Sequence, residues 1–194
     1  MPRPRKAVPR LQQPTSTAAL RQALTRRKKA DLVEVLIELA EVDRRLLRQL
    51  IARFDVATTP DELVTATRRA IADATDFDER QINRNFDYDD AAYSEIQRNL
   101  GRLIASGQLR PAMELSLELM KEGSYQVEMS DEGLMATDIE DCLSVVIAAL
   151  RTCDLPASEV SGWCSTMLET DRVGCISRKP LEALRTQWQR IVAR

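Results

Sequence analysis

From about position 30 onward, apolar residues recur every three to four positions, and nowhere do they alternate with the two-residue period of a strand. That spacing predicts a succession of amphipathic helices joined by short turns, and so an all-α fold. Leu32, Leu36 and Leu39 form one stripe over Ala30–Ala40. Leu46, Leu50 and Phe54, flanked by Leu47 and Ile51, form the next over Val42–Phe54. The two segments read as a helical hairpin turning at Glu41-Val42-Asp43. Asp43 is placed to cap the second helix, because its short carboxylate accepts an orphan backbone N–H. A shorter helix is predicted upstream, from Thr17 to about Thr25.

The punctuation continues downstream. Thr59-Pro60-Asp61-Glu62 combines a cap, a proline at the first helical position and first-turn acids. It predicts a helix that ends near Thr75, with Leu63, Thr67, Ala70 and Ile71 facing inward. Residues 76–90 read as an ordered crossover, followed by a helix capped by Asp89 or Asp90. Ile96, Leu100, Leu103 and Ile104 give that helix its apolar face, and Gly107 stops it. Leu109–Glu122 is predicted as the next helix, with Gly123 ending or loosening it. Ser130-Asp131-Glu132 is expected to open another, whose stretch Cys142–Leu150 is apolar nearly all round and therefore central. Pro156 and Pro180 are expected to begin the last two. Their stripes are Val160, Trp163, Cys164, Met167 and Leu168, then Leu181, Leu184, Trp188 and Ile191. The count comes to seven or eight antiparallel helices stacked as an α-α superhelix, in a single domain spanning 30–194.

Composition changes this picture in three places. Aromatic residues make up only 4% of the 194, so aliphatic side chains must fill the core. The chain contains no histidine, which removes the commonest general base, neutral-pH switch and metal ligand. The net charge of −2 conceals an asymmetry: residues 1–29 hold nine of the 28 basic residues and none of the 30 acids, leaving 19 against 30 and a net of −11 beyond them. Residues 1–29 accordingly read as a basic, largely disordered arm on an acidic body. Such an arm can grip nucleic acid or an acidic protein, or fold back on its own body. No stretch approaches the ~20 apolar residues of a membrane span, and the start lacks the apolar core of a secretory signal. The expected location is cytoplasmic. An organelle transit peptide is the alternative that the acid-free, arginine-rich start leaves open, against which the early prolines weigh.

Several segments carry a family resemblance. ADLVEVLIELAEVDRRLLRQLIARF resembles the helical hairpin downstream of the zinc finger in bacterial SWIM zinc finger proteins of poorly defined function. NFDYDDAAY, LGRLIASGQLRPAMELSLELM and SDEGLMATDIEDCL resemble further segments of that family in the same order, over roughly Leu24 to Asp171. The resemblance implies an α-α superhelix of TPR or HEAT type that binds other proteins. The finger's Cys-x-Cys and Cys-x-His pairs are missing here, so no zinc or nucleic-acid role of the finger carries over.

Candidate sites follow from residue type and spacing. Arg26, Arg27, Lys28 and Lys29, together with Arg3, Arg5, Lys6 and Arg10, could neutralise phosphates or acidic side chains, or simply be solvated. Glu114, Glu118 and Glu122 recur at four-residue spacing and put three carboxylates on one helix face. They offer a site for a basic partner, or a solvated face eased by Lys121. Asp76, Asp78, Glu79, Asp87, Asp89 and Asp90 crowd the crossover, where they read as caps and turn formers, with a hard cation or acid–base chemistry as the alternative. Phe77, Phe86 and Tyr88 are expected to pin the crossover to the helices. Cys142, Cys153, Cys164 and Cys175 lie eleven apart, which is not the close-paired spacing of zinc ligands, and read as reduced thiols with Cys175 the most exposed. No phosphate loop or nucleophile elbow is present.

The chain is thus expected not to be an enzyme and to need no cofactor or metal. It is read as a protein-interaction module or scaffold. The alternatives are a nucleic-acid-associated accessory protein that uses its arm, and an enzyme built on crossover carboxylates.

Overall fold

A computed structural model describes residues 17–54, 59–85, 88–133 and 135–192; the side chains at 44, 52–54, 81, 85 and 192 fall outside that description. The calls on Arg3, Arg5, Lys6, Arg10, Phe86, Asp87 and the inward side chain of Phe54 therefore lie outside the described residues. The fold is all-α. Ten helices occur among the described residues, rather than seven or eight: α1 (Thr17–Thr25), α2 (Lys29–Val42), α3 (Arg44–Phe54), α4 (Pro60–Thr75), α5 (Glu79–Asn85), α6 (Asp90–Ala105), α7 (Leu109–Met129), α8 (Ala136–Leu150), α9 (Ala157–Thr170) and α10 (Arg178–Val192). No described helix is long and apolar enough to cross a membrane. The chain divides into two compact units, Met1–Leu50 and Ile51–Arg194.

In the first unit, α1 buries none of its residues and α2 buries only Ala40. Leu36 and Leu39, predicted to face inward, are instead 39% and 51% exposed. The helices exist as predicted, but they are not closed into a buried hairpin. Periodicity identified an apolar face and could not say what covers it. The break between them is made by Asp43. Its Oδ1 accepts from the backbone N–H of Arg45 at 2.9 Å and of Leu46 at 3.2 Å, and its own N–H ends α2 on the Leu39 carbonyl.

The second unit holds the core. Helices α4, α6 and α8 pack in succession, and α10 joins α8. Helix α7 packs across α4, α6, α8 and α9, and α9 packs on α10. Neighbours thus include helices two apart in sequence, such as α4 and α6 or α6 and α8, and sequential helices, such as α7 and α8 or α9 and α10. Local chemistry sets the boundaries. At α4, the Thr59 hydroxyl accepts from the Glu62 N–H at 3.3 Å while the Glu62 carboxylate accepts from the Thr59 N–H at 2.8 Å, a reciprocal capping box. Those bonds from the Thr59 backbone, then its hydroxyl, hold the Glu62 carboxyl below its ordinary range. Gly107, at φ 78°, ends α6: its N–H reaches the Ile104 carbonyl at 3.0 Å, and the Gln108 N–H reaches that of Leu103 at 2.8 Å.

Four expectations are corrected here. The 76–90 crossover contains a helix of its own, α5. Gly123 neither ends nor loosens α7, which runs on to Met129. Gly123 is where α8 comes close, since a Cβ there would stand 2.8 Å from Ile139 Cδ1. Ser130 does not open a helix: its hydroxyl accepts from the Gly133 N–H at 3.1 Å in a turn that Gly133 makes at φ 60°, and α8 starts at Ala136. Ile191 is 51% exposed, although Leu181, Leu184 and Trp188 on the same stripe are buried. Pro156 sits at the cap position of α9 and Pro180 in the first turn of α10, so each marks its helix start only to within about two residues.

Candidate interaction surfaces

The core of the second unit is self-contained. Among the described residues, no buried side-chain nitrogen or oxygen lacks a hydrogen-bond partner. Gln126, fully buried on α7, accepts from the Tyr93 hydroxyl of α6 and donates from Nε2 to the Ala74 carbonyl of α4 at 3.0 Å. Burial, aided by the nearby Cys142 and Asp138, pushes the Tyr93 phenol far up. Trp163 Nε1 donates to the Met113 carbonyl, and Trp188 Nε1 to that of Leu150, each at 3.0 Å. The composition pointed to aliphatic filling, and the polar ties that join the helices were not foreseen.

The crossover acids mostly serve helix ends. Asp78 Oδ1 accepts from the Arg80 N–H at 2.8 Å at the start of α5, and Asp89 Oδ1 accepts from the Ala92 N–H at 3.1 Å at the start of α6. Asp76 is the C-cap residue of α4. Phe77 meets Tyr125 edge-on at 6.0 Å, and Tyr88 meets Tyr93 at 6.2 Å, so both pin the crossover. Tyr88 also donates to Asp138 at 2.8 Å; burial, then that bond, pushes its phenol up to about 12. Among the described residues, no three His, Cys, Asp or Glu side chains converge on a metal-sized space.

The predicted glutamate row is present on α7, but its members are differently engaged. Glu118 receives a two-pronged pair from Arg68 of α4, at 2.9 Å from Nε and 2.7 Å from the terminal nitrogen. Glu122 pairs with Lys121 at 3.0 Å, and Glu114 is exposed. The Arg68–Glu118 pair is more than a third exposed on both sides, which limits such a contact to roughly 0–1 kcal/mol. The row thus ties α7 to α4 as well as facing solvent. Arg26, Arg27, Lys28 and Lys29 are all exposed at the entrance to α2. Lys28 stands at its N-cap position with extended backbone and no capping side chain. Four cations at the positive end of a helix make a concentrated positive potential.

The cysteines are free, with Cys142 and Cys164 buried, Cys153 half-buried and Cys175 exposed. Burial pushes the Cys142 thiol up to about 12 and that of Cys164 up to about 11. A thiol-alkylating reagent is therefore expected to modify Cys175 first, with Cys142 and Cys164 at least about a hundredfold slower until denaturant is added. Peptide mass spectrometry over a time course reads this directly, and equal rates at Cys142 and Cys175 would contradict the burial. Because the fold holds these thiol protons more tightly than the unfolded chain does, stability is intact below the ordinary thiol value of 9.0 and declines as pH rises toward about 12.

The surface that sequence reasoning missed is α2. Its acids Asp31, Glu34, Glu38 and Glu41 lie within one stripe, and Val33, Val35, Leu36, Ile37, Leu39 and Val42 are exposed around the rest, Val42 at 90%. The available signal was the width of the apolar arc, which is more than one neighbouring helix can cover.

Comparison with family models, with curated proteins and with solved structures returned no match.

Proposed function

We propose that the chain is a protein-interaction module with α2 as its principal docking element. The observation that carries this reading is the run of exposed large apolar side chains on α2. Apolar surface costs roughly 25 cal/mol per Å² when left in water, and contiguous exposed patches rimmed by charge are the usual mark of an interaction site. The resemblance to the helical region of the SWIM proteins supports the same reading, and the all-α body is consistent with it.

The test is capture from native lysate under four conditions: the full chain, the chain lacking residues 1–29, the full chain with nuclease, and the variant Leu36→Glu/Leu39→Glu. Protein partners are expected to survive deletion of the arm and nuclease treatment, and to be lost, at least about tenfold, with the double glutamate variant. Partners that vanish with the arm or with nuclease, and persist on the α2 variant, would replace this reading with a nucleic-acid role for Arg26–Lys29.

A further inference from the structure

We draw no further inference here: the strongest candidate, the exposed apolar face of α2, carries nothing beyond the docking role already proposed for it, because exposed acids run along the helix while the exposed cations Arg26–Lys29 stand at its start, so charge selects no occupant and nothing in the structure shows what covers it.

Discussion

Replacing Gln126 by Leu is expected to destabilise the second unit by about 3 kcal/mol, lowering the thermal midpoint on the order of 10 °C. The side chain has no exposed surface and serves two partners at once. Its Oε1 accepts from the Tyr93 hydroxyl, and its Nε2 donates to Ala74 in the last turn of α4, where carbonyls have no partner within their own helix. Leucine approximates the volume but leaves both partners buried and unpaired, at about 1–3 kcal/mol each. The pair Tyr93→Phe/Gln126→Leu removes the orphan hydroxyl, so it is expected to recover part of the loss. A double-mutant cycle by denaturant unfolding should give a coupling on the order of 1 kcal/mol between the two sites. If Gln126→Leu alone costs less than about 1 kcal/mol, the three-helix tie is not a main support of the core.

How far the fold was legible depends on whether its cause was local. The start of α4 could be read because Thr59, Pro60 and Glu62 lie within four residues and act on one another. The stops at Asp43 and Gly107 are equally local. The inward stripes of α4, α6, α8 and α9 follow from spacing alone. What failed was set by distant residues. Gly123 has the composition of a helix breaker, and only the approach of Ile139 from α8 explains why glycine is kept in mid-helix. Ser130 has the chemistry of an N-cap but spends it on a turn that Gly133 bends. Glu118 looked like one of a solvated trio, and its partner Arg68 lies fifty residues away. Of the candidate sites, Arg26–Lys29 could be read as exposed because four adjacent cations cannot be buried cheaply. The uncovered face of α2 could not, because an apolar stripe is the same in sequence whether its cover is its own chain or another.

The second large effect is expected at Trp188, where α10 is fastened to α8. Helix α8 ends at Leu150, whose carbonyl is left without an intrahelical donor; Trp188 Nε1 supplies one at 3.0 Å, and Gln187 Nε2 donates to the adjacent Arg151 carbonyl at the same distance. The indole is 8% exposed and belongs to the stripe with Leu181 and Leu184 that seats α10 in the core. Trp188→Ala removes the ring and the donor together and is expected to cost about 3–5 kcal/mol. Trp188→Phe keeps most of the apolar volume and loses the donor, for about 1–2 kcal/mol. Gln187→Ala, at an exposed position, should fall within about 0.5 kcal/mol of the parent. Because α10 packs chiefly on α9 and α8 among the described helices, the alanine variant should also open locally, so trypsin would cut after Arg185 and Arg190 before the rest of the unit is attacked. Denaturant unfolding measures the ranking and limited proteolysis locates the opening. Equal stability of the alanine and phenylalanine variants would mean that the ring contributes little, and that α10 is held by Leu181 and Leu184 instead.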